Sequence, residues 1–180
     1  TILRADDVRD TKATFELGDK SASGGVVTMD GTVTGNSSPF TASFSHPSDW
    51  NGEVHIVLAE EPALADGKAS VVTPQLFGQK DEKASNAPTT YSGKKEIAAD
   101  SWQRSPVYFY GYNDSVFVRR VHDLVSTVAM IQQHPKWDAK KVVIKADGSL
   151  AAVAYAAKFI LGDQIDELEV DTGDFSFSKV

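Results

Sequence analysis

The residues best suited to chemistry lie in one turn, Ala146-Asp147-Gly148-Ser149-Leu150-Ala151. A β-branched run, Lys141 to Ala146, leads into it, and an apolar helical pattern leaves it. That context suits a nucleophile elbow, G-x-S-x-G. There a strained turn lifts a serine hydroxyl above the sheet, and the next helix N-terminus steadies an oxyanion. The spacing here is displaced. Gly148 holds the position of the nucleophile, and Ser149 follows it, where a serine ordinarily caps a helix. Ser149 is therefore read first as an N-cap and second as a nucleophile.

Histidine order points the same way. A serine hydrolase built on such an elbow carries its histidine after the nucleophile and the acid. His46, His55, His122 and His134 all precede Ser149. Asp171 could stand in for the acid, but with no imidazole downstream to orient. His122 lies beside the apolar stripe of a helical pattern and reads as a structural, hydrogen-bonded histidine.

Other chemistries find less support. The acidic run Asp163, Asp166, Glu167, Glu169, Asp171 and Asp174 lacks the spacing of a calcium loop, and on a strand its members alternate faces. A solvated face is the expectation there. No phosphate loop or dinucleotide fingerprint is present, and no cofactor is expected. The aromatic segment Tyr108-Phe109-Tyr110-Gly111-Tyr112 could stack on sugar rings through Tyr110 and Tyr112. Packing against the helix that follows is the plainer reading.

Composition sets the outer bounds. The chain has 180 residues and 41% hydrophobic residues, enough for one packed domain over 1–180. A net charge of −7 argues against nucleic acid, which rewards clustered Lys and Arg. No apolar run approaches the roughly 20 residues of a membrane span. The absence of Cys removes disulfides, thiolate metal sites and a Cys nucleophile together. A start at Thr1 without Met suits a processed mature protein or a piece of a longer one, and the missing downstream histidine favours the piece.

The elements that would position the turn fall into two groups. Residues 1–52 read as antiparallel strands: Ala13 to Leu17, Val26 to Val33 with a tight turn expected at Asp30-Gly31, and Phe40 to Phe44. Residues 53–180 read as a parallel α/β core. Strands are expected at Glu53 to Ala59, Ser70 to Leu76, Lys141 to Ala146 and Glu167 to Val170, with a last extended piece at Phe175 to Phe177. Pro74 should limit pairing on one side of its strand. Phe117, Val121, Leu124, Val125, Val128 and Ile131 form one helical face, capped by Asp114 or Ser115 and ended near His134-Pro135. A second helix carries Leu150, Val153, Ala154, Ala157, Ile160 and Leu161, with Gly162 as its C-terminal cap. Between them 78–106 has no period and reads as a long loop. Alternating strands and helices predict a right-handed parallel sheet.

Several of these pieces carry a family resemblance. Tyr110-Gly111-Tyr112-Asn113 followed by Arg120-Val121-His122-Asp123 resembles the GYN and RVHD elements of acetyl-xylan-esterase-like α/β hydrolases. Pro47 to Leu58 is similar to the P-x-x-W-x-G-x-V-x-x-x-L strand of that family, Val71 to Gly78 to its next strand, and Leu161-Gly162-Asp163 to a helix end. The match spans about residues 40 to 177 and looks closest to the degenerate second domain of tandem-domain bacterial members. It implies a truncated α/β-hydrolase-like sheet in three αβα layers with N-terminal antiparallel strands. The family helix between the strands at 53–59 and 70–76 is shortened to Glu60 to Gly67, which puts the oxyanion donor in doubt.

Three readings follow. The first is a non-catalytic hydrolase-like domain, accessory to a catalytic esterase domain or subunit and secreted or periplasmic. The second is a serine carboxylic-ester hydrolase using Ser149. The third is a carbohydrate- or protein-binding module, with polysaccharide as a partner.

Overall fold

The computed structural model describes residues 8–65, 67–79, 115–135 and 137–173. Among these, seven strands form one sheet: β1 (Thr14–Ser23), β2 (Val26–Thr34), β3 (Phe40–Pro47), β4 (Glu53–Leu58), β5 (Ser70–Pro74), β6 (Lys141–Asp147) and β7 (Glu167–Asp171). The helices are α1 (Val116–Gln133) and α2 (Ser149–Leu161), with a short 3-10 turn at Gly162–Gln164. The strand order is β1-β2-β3-β5-β4-β6-β7. Pairing is antiparallel from β1 to β5 and parallel across β5, β4, β6 and β7. This is a mixed, truncated α/β-hydrolase-like sheet with antiparallel strands at its N-terminal side.

Handedness places the helices. The connections β5–α1–β6 and β6–α2–β7 run in the same direction across the sheet, so right-handed crossovers put both helices on one face. They pack on each other there. Val54, Ile56 and Leu58 of β4 pair with Val142, Ile144 and Ala146 of β6 on that face. Val121, Leu124, Val125, Val128 and Ile131 of α1 close the core over them. The helical stripe expected from the sequence is thus the buried one. Ser126 comes so near the β2–β3 connection that a Cβ on Gly35 would lie 2.2 Å from its hydroxyl, so only glycine fits there.

The link from β4 to β5 runs the other way and crosses the opposite face. It is irregular rather than helical over 59–65. The N–H groups of Ala63 and Ala65 donate to Thr73 Oγ1 (3.0 Å) and Ser45 Oγ (2.9 Å). Among the described residues this face has no helix on it; Val71 and Val143 on it are buried, while ion pairs run along its β4, β6 and β7 part. Lys141 bridges Glu53 (3.2 Å) and Glu167 (2.7 Å), Lys145 pairs with Glu169 (2.9 Å), and His55 contacts Glu53 (3.2 Å). Parallel sheets are ordinarily apolar on both faces. Here two members of the acidic run expected to be solvated, Glu167 and Glu169, are tied to lysines of the neighbouring strand.

Two local expectations need correction. Asp30-Gly31 is not a turn. It lies inside β2 opposite Ser43 and Ala42, and Gly31 lets the Phe15 ring lie against the backbone. The hairpin turn is Gly24-Gly25, both with positive φ (59° and 79°), which a tight primed turn demands. β1 also runs on to Ser23, past the expected end at Leu17, with a register shift between Leu17 and Lys20. Pro74 ends β5, where only β3 still pairs with it.

Candidate functional site

In open α/β sheets ligands gather at the carboxyl ends of the strands, where the strand order reverses. Here β4 leads outward to β5 and the chain then crosses back to β6, so the reversal lies beside the end of β6. The turn after β6 stands at that point. Pairing with β7 sets Asp147 opposite Asp171, and the Gly148 N–H donates to the Asp171 carbonyl (2.8 Å). Asp147, Gly148, Ser149 and Asp171 are therefore brought together.

The strained position of the turn belongs to Gly148, with φ 57° and ψ −128°. Residues with a Cβ adopt that conformation only at a cost, and it is where an elbow carries its nucleophile. Open space surrounds the Cβ that Gly148 lacks, with nothing within 4 Å. The turn has the backbone conformation of an elbow, and its strained position carries no side chain.

Ser149 is the first residue of α2 and is exposed. The N-cap role expected for it falls to Gly148, and no side chain caps the helix. The reason is geometric: the turn is one residue tighter than a serine cap requires, so Ser149 already has helical backbone. The Asp171 carboxylate accepts from the Gly173 N–H (2.8 Å), which holds it in a local turn.

The histidines are dispersed. His46 and His134 lie at the other end of the sheet beside Trp137. His55 sits on the charged face against Glu53. His122 is buried within α1. Tyr110 and Tyr112 fall outside the described residues, as do Asp114 and Phe175 to Phe177. Ser115 is the α1 N-cap, its Oγ accepting from the Val118 N–H (3.2 Å), and His134 ends the helix as expected. Gly162 ends α2 with positive φ (57°). Among the described residues no group of three His, Asp or Glu side chains could hold a metal ion. None of their helices is long and apolar enough to cross a membrane.

The RVHD stretch has a defined task at the same end of the sheet. Arg120 Nε donates to the Phe77 carbonyl (2.9 Å), and the Phe77 N–H donates to Asp123 Oδ2 (2.8 Å). Ser37 Oγ donates to Asp123 Oδ1 (2.5 Å), and the Arg119 guanidinium lies 3.7 Å from the centre of the Phe77 ring. Burial raises the Asp123 pKa, while the bonds from Ser37 and Phe77 pull it back. Burial also lowers the Arg120 pKa. These groups clamp the turn after β5; they do not point to a reaction.

A second concave region lies at the opposite end, where the parallel strands begin. It is a cleft of 480 Å³ lined by residues that include Phe44, His46, Trp50, His134 and Trp137. Sequence reading missed it, because its walls come from β1, β2, β3, the end of α1 and the loops before β4 and β6. Only the tryptophans that open those loops hinted at it.

No protein-family model matches the sequence, and no curated protein is similar to it. Solved structures are similar in fold. An acetyl xylan esterase from a Thermoanaerobacterium species superposes with a TM-score of 0.61 at 13% identity, over 93% of this chain and 55% of that one. An acetyl xylan esterase from a Paenibacillus species gives 0.59 at 11% identity, over 93% and 56%. A promiscuous CE15 esterase from a marine bacterial metagenome gives 0.53 at 11%, over 90% and 55%. The fold is acetyl-xylan-esterase-like, and the chain spans little more than half the length of these enzymes.

Proposed function

We propose that this chain is a non-catalytic α/β-hydrolase-like domain, an accessory or structural part of a carbohydrate esterase-like protein. The observation that carries the reading is Gly148. It occupies the strained elbow position, so no side chain there can attack an ester. The helixless link between β4 and β5 and the dispersed histidines support it. Ser149 stands beside the elbow position, on the first turn of α2. Its partner on this reading is a catalytic esterase domain or subunit acting on acylated polysaccharide, in a secreted or periplasmic setting. The similarity to a little over half of an esterase suits such a division of labour.

The test is turnover of p-nitrophenyl acetate by the chain and by Ser149→Ala. Both should match buffer. Saturable turnover abolished by Ser149→Ala would replace this reading with the serine-hydrolase one. In a polypeptide joining the chain to an esterase domain, its removal should lower that domain's Tm and leave kcat per folded molecule unchanged.

A further inference from the structure

The cleft at the amino ends of the parallel strands has a composition that selects among ligands. Phe44 forms its floor, in edge-to-face contact with Phe15 (4.5 Å between centroids) and Trp137 (5.5 Å). His46 lies parallel to Trp137 (6.2 Å, 20°) and tilted against Trp50 (5.2 Å). Met29 and Met130 line the same space, soft side chains suited to ring edges. The Trp50 indole N–H already donates to the Glu53 carbonyl (2.8 Å), so this ring offers the cleft only its apolar surface. At 480 Å³ the space is within the range of small-molecule sites, about 300–1,000 Å³.

Charge narrows the choice. Among the described lining residues, the side chains that can carry charge are Lys20, His46 and His134, all cationic or neutral, in a chain of net charge −7. Among the described residues that line the cleft there is no carboxylate. A quaternary ammonium, which aromatic walls otherwise favour, would meet Lys20 with no carboxylate among the described lining residues to offset it. A hydroxyl-rich sugar would bring many donors and acceptors to walls that are mainly rings and thioethers, and unpaired buried polar groups are costly. A flat ring bearing one carboxylate answers both the walls and the charge.

We propose that this cleft is a binding site for a small aromatic carboxylate, its ring between Trp137, Phe44 and Trp50 and its carboxylate towards Lys20 and His46. The His46 Nδ1 is engaged by Ser70 Oγ (2.7 Å). With that hydroxyl as donor, Nε2 bears the proton and donates to the ligand. Burial lowers the pKa of His46, so the ring acts as a neutral donor near pH 7 and Lys20 supplies the charge. The site lies at the other end of the sheet from Gly148 and stands apart from the accessory role proposed above.

Calorimetric titration with naphthoate, paired with the neutral naphthyl methanol, tests this. Naphthoate should bind at a single site, and proton NMR should show both Trp50 and Trp137 indole signals shifting together. Lys20 is exposed, so Lys20→Met keeps the fold; it should weaken naphthoate by about fivefold and leave naphthyl methanol unchanged. Ser149→Ala should leave both titrations as in the parent chain. Absence of saturable naphthoate binding would overturn the proposal. So would equal affinity in Lys20→Met, or tighter binding of xylobiose than of naphthoate.

Discussion

The two ends of the sheet are built from opposite materials. At the carboxyl end, backbone does the work: a strained Gly148, a carbonyl of Asp171 taking its N–H, and the Phe77 peptide clamped by Arg120 and Asp123. At the amino end, side chains do it: two tryptophans, two phenylalanines and two histidines around an open space. A reacting site needs both, a shaped turn and groups to fill it. At the carboxyl end the strained position of the turn is a glycine, Gly148, which has no side chain to contribute. Likeness in fold to esterases does not by itself carry their chemistry.

That contrast can be sharpened by substitution. If the amino end is held by packing, Phe44→Ala should be the most damaging change, costing about 3–5 kcal/mol in urea unfolding, because its buried ring supports Phe15 and Trp137. A loss below about 1 kcal/mol would mean that the cleft floor is not a packed element.

At the other end Asp123→Ala should cost about 2 kcal/mol, since it strands the Ser37 hydroxyl and the Phe77 N–H. The pH dependence has a fixed sign. Burial raises the pKa of Asp123 in the folded chain, so the folded state holds this proton more tightly than the unfolded state. Its contribution is then fully present below the unfolded value, about 3.9, and is lost as pH rises through the folded one. The stability of the parent chain relative to Asp123→Asn should fall across that window. A rise would show that hydrogen bonding outweighs burial there.

The elbow itself gives the smallest effects, and they discriminate most finely. Gly148→Ala should cost about 1–2 kcal/mol from positive φ alone, because space is free for the added methyl group. Ser149→Ala should shift stability by no more than about 0.5 kcal/mol, since its hydroxyl caps nothing. A loss near 1 kcal/mol would restore the N-cap role. Thermal unfolding of the two variants side by side decides it.

Much of this architecture is written locally. The stripe of α1, the Ser115 cap, β6 and the Gly162 helix end all follow from period and cap chemistry within a few residues. Asp30-Gly31 has the composition of a tight turn as Gly24-Gly25 does, and a dipeptide does not reveal that the Phe15 ring needs the space over Gly31. The extension of β1 was hidden for a related reason. Its second half is exposed and polar and is a strand only because β2 pairs with it. The clamp on Phe77 and the aromatic cleft join elements far apart in sequence, so no window could display them. At the candidate site the sequence already put Gly148 in the nucleophile position. The strain at that residue, and the bare space beside it, needed coordinates.

The proposed role requires an elbow without a nucleophile, and a fluorophosphonate ester tests that most directly. Such reagents phosphonylate an activated serine in proportion to its nucleophilicity. After incubation with the folded chain, intact-mass measurement should show the unmodified mass, and digestion should return the Lys145–Lys158 region with Ser149 free. A single adduct on Ser149, formed in the folded chain and lost on unfolding, would contradict it.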